Sequence, residues 1–390
     1  MKYVDEFRDG ERARVLAGAI AAEVRPGRRY RLMEFCGGHT HAVFRYGVPD
    51  LLPASVELIH GPGCPVCVLP IGRLDMAIRL ASDHPEVILT SYGDMLRVPG
   101  SRGRSLLKAR AEGADVRMVY SVSDALELAK ANPEREVVFF AIGFETTTPP
   151  TALAILQAKA EGLRNFSVFC NHVLTPAAMK AILNVSPGAG EAVAIDGFIG
   201  PSHVSVVIGS DAYRFCAEQY AKPVVIAGFE PLDVLQSILM LVRQLNDGRA
   251  VIENQYTRAV TPAGNSRAQA AVQKVFTRRP LFEWRGLGDI PESALALAGP
   301  LRAFDAEHRF AMQYQYARGT RSCECPAVLR GAKKPTDCKL FATSCTPDNP
   351  LGSCMVSDEG ACAAYYTYGR FREEAERRQQ QATEACRAAR

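Results

Sequence analysis

The run Val137-Val138-Phe139-Phe140-Ala141-Ile142 has no polar face. A strand made from it must be buried on both sides, which happens where helices cover both faces of a largely parallel sheet. The surrounding sequence offers the rest of such a sheet. Apolar runs at residues 31–35, 56–60, 87–90, 116–120, 166–170, 197–199 and 224–227 alternate with helical periodicity at residues 5–24, 71–80, 105–112 and 124–131. Strands alternating with helices predict an α/β fold. At 390 residues the chain exceeds the roughly 250 to 300 that one core fills, so two or three domains are expected.

The ends of these strands carry the chemistry, because ligands of open parallel sheets sit outside the carboxyl ends of strands. The first strand runs into Met33-Glu34-Phe35-Cys36-Gly37-Gly38-His39-Thr40-His41. The second runs through His60-Gly61-Pro62-Gly63 into the C-x-x-C of Cys64-Pro65-Val66-Cys67. Three thiols and three histidines thus stand at two strand ends that can open into one crevice. A thiolate is the form that binds metal or attacks an electrophile, and a loop feeding a helix start supplies backbone N–H groups that favour the anion. A lone cysteine after a strand is more often a small buried hydrophobe. The glycines and histidines around Cys36 argue instead for a reactive or metal-binding thiol. Cys64 and Cys67 read as a redox dithiol or as iron ligands; half a zinc site and simple packing are the other readings.

His39 is the better candidate for proton transfer or for orienting a bound group, with His41 left to cap or pack. His172 and His203 also follow strands and either line the crevice or are satisfied structural histidines. Glu145 and Glu230 orient partners there or are solvated loop carboxylates; Thr146, Thr147 and Ser202 donate to small anions or serve as caps. Thr148 is placed as a helix N-cap with Pro149 at the first helical position. The Gly143–Thr148 segment lacks a P-loop pattern, so no nucleotide site is expected. Gly-Phe-Glu at residues 143 and 228, and Gly-Pro at residues 61 and 200, form a weak internal echo of two α/β halves.

From residue 231 the pattern changes to longer helices at residues 232–246 and 266–276, and the sheet is expected to be complete. Six cysteines then fall within forty residues: Cys323, Cys325, Cys338, Cys345, Cys354 and Cys362. So loop-like a segment needs a metal or cross-links to fold. Four thiolates with a leftover pair read best as an iron-sulfur cluster beside two free thiols; two zinc ions or a structural role are the alternatives. The tail from residue 370 is charged and Gln-rich, a candidate solvated helix in which Cys386 is incidental.

Composition excludes several classes. A net charge of +4 with no basic, aromatic-interleaved block gives no reason to expect nucleic acid. No run approaches the roughly 18 apolar residues of a membrane span, and residues 1–14 lack the apolar core of a signal peptide. A cytoplasmic protein is expected, and there twelve cysteines point to metal or redox chemistry rather than a disulfide framework.

With these residues in place, the chain resembles the HypD family of hydrogenase maturation factors over nearly its whole length. The resemblance is carried, in family order, by Phe35-Cys36-Gly37-Gly38-His39-Thr40-His41, Gly61-Pro62-Gly63-Cys64-Pro65-Val66-Cys67, Gly143-Phe144-Glu145-Thr146-Thr147, and the run from Cys354-Met355-Val356-Ser357 to Cys362. It implies two similar parallel-sheet α/β domains, placed at residues 31–122 and 123–230. A mainly helical, cysteine-rich iron-sulfur domain at residues 231–390 follows, with its 4Fe-4S cluster at residues 323–362 and residues 1–30 packed against it. The resemblance also implies a scaffold on which the iron of nickel-iron hydrogenases acquires two cyanides and one carbon monoxide. Cys36 would hold that iron with a small HypC-type chaperone, and cyanide would come from a HypE-type carrier. The finished unit would pass to the hydrogenase large-subunit precursor. Cys64 and Cys67 would ligate iron or act as a dithiol, His39 would serve that centre, and the cluster would deliver electrons. The contrasting reading is a cluster-linked thiol-disulfide oxidoreductase with no use for Cys36.

Overall fold

The computed structural model of the chain describes residues 5–184, 193–320 and 322–369. The Gln-rich tail and Cys386 lie outside the described residues. Nine strands build two parallel sheets: β1 (Tyr30–Glu34), β2 (Val56–His60), β3 (Val87–Ser91), β4 (Val116–Met118), β5 (Glu136–Gly143), β6 (Phe166–His172), β7 (Gly197–Gly200), β8 (Val224–Ile226) and β9 (Ile252–Asn254). One sheet has the order β2-β1-β7-β8-β9 and the other β4-β3-β5-β6.

The strand order corrects the expected division of the chain at residue 122. That boundary would join β1 and β2 to β3 and β4, whereas β1 pairs with β2 on one side and with β7 on the other. The chain starts one sheet, leaves to build the whole of the second, and returns to finish the first. An apolar run records that a strand is buried; it does not record which strand lies beside it. β9 also joins the first sheet beyond residue 231, where no further strand was expected. The Gly-Pro echo at residues 61 and 200 marks two strand ends of one sheet.

Both sheets are covered on both faces, as the apolar runs require. Along β5, Val138, Phe140 and Ile142 join a core with Leu74, Ala77 and Ile78 of the helix Ile71–Asp83. Val137, Phe139 and Ala141 face Ala125, Leu126, Ala152 and Ile155 on the opposite side. On the first sheet, Leu32, Ile199 and Val225 pack against Leu235, Ile238 and Val242 of the helix Pro231–Asn246, with Ile20 of the helix Gly10–Glu23 alongside. The N-terminal helix therefore contacts the helix after residue 231, and both belong to the first sheet's layer. Burying these aliphatic side chains contributes roughly 1.5–3 kcal/mol each.

Beyond residue 275 the chain is less helical than its sequence suggested. Two small antiparallel ladders pair Phe276–Arg278 with Leu295–Leu297 and Leu281–Trp284 with Gly288–Pro291. The cysteine-rich stretch contains only short helical turns such as Cys325–Leu329 and Ala361–Ala364. Its buried side chains, among them Cys325, Leu329, Met355 and Val356, merge with the core between the sheets. Among the described residues no helix is long and apolar enough to cross a membrane.

Candidate functional site

β1 ends at Glu34, and the helix Gly37–Arg45 begins three residues later with Cys36 at its N-cap position. No open loop separates them. Glu34 is 1% exposed, although a glutamate at a strand end ordinarily reaches water. Three donors satisfy its carboxylate: the Cys36 N–H at 3.2 Å, the His60 Nδ1–H at 2.8 Å and the Thr40 hydroxyl. This buried hub joins the end of β1, the end of β2 and the first turn of the helix around Cys36. Sequence reasoning did not find it, because nothing in a lone Glu predicts three convergent donors.

The C-x-x-C lies directly against Cys36. Gly63 O accepts from Gly37 N–H at 3.1 Å, and a β-carbon at Gly63 would fall 2.5 Å from Cys36 N and 2.6 Å from its Cα. Only glycine permits that approach. Cys64 and Cys67 are joined as a disulfide spanning the turn Pro65–Val68, with Cα atoms 5.2 Å apart. As a disulfide the pair cannot ligate iron; both thiolates would first have to be released by two-electron reduction. The cysteine-rich region closes the site from the other side. Ser353 Oγ donates to Cys67 O at 3.0 Å, and Glu359 Oε2 would stand 2.9 Å from a β-carbon at Gly37.

The electrostatics of Cys36 run opposite to the sequence expectation. Burial pushes its thiol well above the ordinary value, and the Glu359 and Glu34 carboxylates add to that. The N–H groups of Gly38 and His39 at the helix start favour the anion but are outweighed. Cys36 is therefore held as a thiol. Burial also raises Glu359, with Asp94 and Glu34 contributing.

His39 and His41 lie on the helix rather than on an extended loop. His39 is fully buried, and burial lowers it to about 4, so the ring is neutral. Its Nε2–H points at the carbonyls of Ala227 and Gly228, each 3.1 Å away, which leaves the Nδ1 lone pair buried and without a partner among the described residues. That nitrogen is positioned as an acceptor. His203 shares Phe229 with His39, the ring centroids lying 4.2 and 4.9 Å from the phenylalanine. His41 packs edge-on against Tyr368.

Most of the remaining candidates have structural partners. His172, at the end of β6, is buried between Thr147 Oγ1 at 3.3 Å and Thr151 Oγ1 at 3.0 Å, and burial lowers it to about 4. Thr147 occupies the N-cap position and Thr148 the first helical position, one residue earlier than the sequence suggested. Glu145 accepts from the Thr175 N–H at 2.8 Å and hydroxyl at 2.9 Å, and burial raises it to about 7. Glu230 pairs with Arg8 and caps the helix Pro231–Asn246. Ser202 Oγ is buried and has no partner among the described residues.

Cys323, Cys325, Cys338, Cys345 and Cys362 line one small cavity, and the thiol of Cys354 interacts with those of Cys325 and Cys362. Bonds from Cys325 and Cys362 pull Cys354 below the ordinary thiol range. A β-carbon at Gly352 would press on Cys325 Sγ at 2.5 Å and Cys323 Sγ at 2.6 Å, so that side of the sulfur nest is backed by bare backbone. Soft thiolates in this number fit an iron-sulfur cluster. Among the described residues no three His, Cys, Asp or Glu side chains are set to hold a single metal ion.

Proteins similar to this chain are known from several bacteria. The family described as hydrogenase formation hypA, HypD, matches residues 11–369. The hydrogenase maturation factor HypD of Azotobacter vinelandii is 68% identical over 373 residues, 96% of this chain and 98% of its own. The HypD of Rhizobium leguminosarum bv. viciae is 64% identical, with 96% of this chain and 97% of its own length covered. That of Escherichia coli strain K12 is 48% identical over 96% of this chain and its entire length. Similarity of this extent spans both sheets and the cysteine-rich region, and the chain belongs to the HypD family of hydrogenase maturation factors.

Proposed function

We propose that the chain is a cytoplasmic scaffold on which the Fe(CN)2CO unit of nickel-iron hydrogenases is assembled. Iron is the cargo. It binds the sulfur of Cys36, whose proton is released to water as the iron takes its place, together with a thiol from a small HypC-type chaperone. Cyanide reaches it from a HypE-type carrier, and the chaperone takes the finished unit to the large-subunit precursor. The observation that carries this reading is the setting of Cys36 at a helix start, held by the Glu34 hub and lying against the Cys64–Cys67 turn. A lone structural cysteine has no need of that arrangement.

The cysteine-rich region supplies the second half of the proposal. Four of Cys323, Cys325, Cys338, Cys345, Cys354 and Cys362 would hold a 4Fe-4S cluster, which supplies single electrons when bound. Ser353, next in sequence to Cys354, hydrogen-bonds Cys67, so the cysteine nest abuts the disulfide that would take up those electrons. Two electrons and two protons convert the disulfide to two thiols, which then serve as a dithiol or as further iron ligands. The same contact favours a second reading, a cluster-linked thiol-disulfide oxidoreductase, and that reading leaves Cys36 without a role.

An infrared spectrum decides between them. Protein isolated anaerobically with its small partners should absorb where metal-bound cyanide and carbon monoxide do, and Cys36→Ala should lose those bands while keeping the iron and sulfide of its cluster. Bands that persist in Cys36→Ala would refute the assignment of the iron. Their absence from an iron-replete, partner-bound preparation, with turnover of a disulfide substrate, would establish the oxidoreductase.

A further inference from the structure

The hairpin of Leu281–Trp284 and Gly288–Pro291 has a turn that is driven between two parts of the site. Trp284 anchors it, being 1% exposed with its indole N–H on Ser293 Oγ at 2.9 Å. Arg285 follows. Its backbone N–H donates to Val68 O at 2.7 Å and its Nε–H to Leu69 O at 2.9 Å, the two carbonyls just after Cys67. On the other side the turn presses on the cysteine nest: a β-carbon at Gly286 would fall 3.0 Å from Pro326 Cα, and Arg330 Nη1 donates to Gly286 O at 2.6 Å. Arg285 shares a cleft of about 410 Å³ with Cys323, Cys325 and Gly352. Its charge acts on the thiols of Cys325, Cys354 and Cys323.

One guanidinium nitrogen is unaccounted for. Arg285 Nη2 is closed off from solvent and has no acceptor among the described residues. An unsatisfied buried donor on a charged group is costly, and neutral thiols are weak acceptors that do little to offset it. Metal-bound thiolates and sulfides are anionic and accept well, and a buried cluster with four thiolate ligands carries net negative charge that calls for a nearby cation. We propose that Arg285 is a positioning residue that ties the Cys64–Cys67 segment to the cysteine nest and directs Nη2 at a sulfur of the bound cluster, balancing its charge. This rests on the cluster reading given above. The planar fork lets Nε hold Leu69 while Nη2 serves the sulfur; a lysine keeps the charge but cannot do both.

Hydrogen bonds and charge at the sulfurs help set a cluster's reduction potential. A cation there favours the state with one more electron, so removing it makes the cluster harder to reduce. The test uses full-length wild type, Arg285→Lys and Arg285→Met, purified anaerobically. Iron and inorganic sulfide are measured, followed by a dithionite titration monitored by electron paramagnetic resonance. The expected result is a cluster in each protein, with the midpoint lowest in Arg285→Met and intermediate in Arg285→Lys. Loss of the cluster from Arg285→Met alone supports the same role. A midpoint in Arg285→Met equal to wild type overturns it, as does loss of the cluster from both variants with secondary structure intact, which would make Arg285 a packing residue. If Arg285→Met does not fold, the midpoint of Arg285→Lys decides: a lowered value supports the role and an unchanged one refutes it. Wild type without inorganic sulfide would instead sink the cluster reading itself, an outcome visible before any variant is compared.

Discussion

Gly63→Ala is the most direct test of how Cys36 is held. The new methyl would lie 2.5, 2.6 and 2.8 Å from the N, Cα and C of Cys36, where carbon atoms normally keep about 3.5–4.0 Å. All three obstacles are backbone, so no side chain can rotate away and the two strand ends must separate. Overpacking of this kind costs about 1–3 kcal/mol. Separation also stretches the bond from Gly37 N–H to Gly63 O, worth about 1 kcal/mol. Against this, replacing glycine lowers the entropy of the unfolded chain, a gain of about 0.4–1 kcal/mol. The net is a local destabilisation of about 2 kcal/mol, and with about 1.4 kcal/mol per factor of ten the opened form becomes roughly thirtyfold more populated. Cys36 is 9% exposed, so a thiol reagent reaches it chiefly through that opening. Peptide-resolved mass spectrometry of timed alkylation should show Cys36 labelling faster by about that factor. Gly10→Ala, whose new methyl meets nothing within 4 Å, should leave the rate unchanged. Equal Cys36 labelling in Gly63→Ala and wild type would refute the close approach of the two turns.

Two further perturbations probe the surroundings. Burial raises Glu145 from its ordinary 4.5 to about 7, so the folded chain keeps a proton that the unfolded chain releases. Its contribution to stability is therefore intact below pH 4.5 and lost as pH rises through 7, on the order of 3 kcal/mol in all. Glu145→Gln cannot ionise, so its denaturation midpoint should exceed that of wild type at pH 8 and converge with it toward pH 4.5; the opposite trend would show that Thr175 outweighs burial. Ser353→Ala removes the donor to Cys67 O at 3.0 Å inside a fully buried contact, at a cost of about 1–3 kcal/mol. Dithiothreitol should then reduce the Cys64–Cys67 disulfide faster than in wild type, and an unchanged rate would detach that disulfide from the cysteine-rich region.

What could be read from the sequence divides along physical lines. β1, β2, β5 and β8 were legible because an apolar run between turn residues has one explanation, burial in a sheet. The nearness of Cys36 to the Cys64–Cys67 turn was legible because both follow strands whose ends open on the same side of a parallel sheet. Strand partners were not legible: β1 bonds to β7, more than 160 residues away, and burial alone encodes no neighbour. Glu34, Glu359 and Arg285 were missed for a related reason. A charged residue in sequence reads as solvated, and only the folded chain shows that its partners come from distant segments. The direction of the Cys36 shift was misjudged because the helix start is a local feature, whereas the burial that outweighs it is contributed by the whole assembly.

The order of the strands gives the site its dependence on the complete fold. Cys36 leaves the first sheet at β1, and the Gly63 turn leaves it at β2, before the chain departs to build the second sheet. The carbonyls of Ala227 and Gly228 that fix His39 arrive only with β8, after that sheet is finished. Glu359 and Ser353 come later still, from the cysteine-rich region. A partly folded chain can therefore present Cys36 on β1 but cannot present it with a neutral, oriented His39 and a closed wall. Interleaving the sheets makes the finished pocket depend on contributors from distant parts of the chain, so the full setting of Cys36 requires the complete fold.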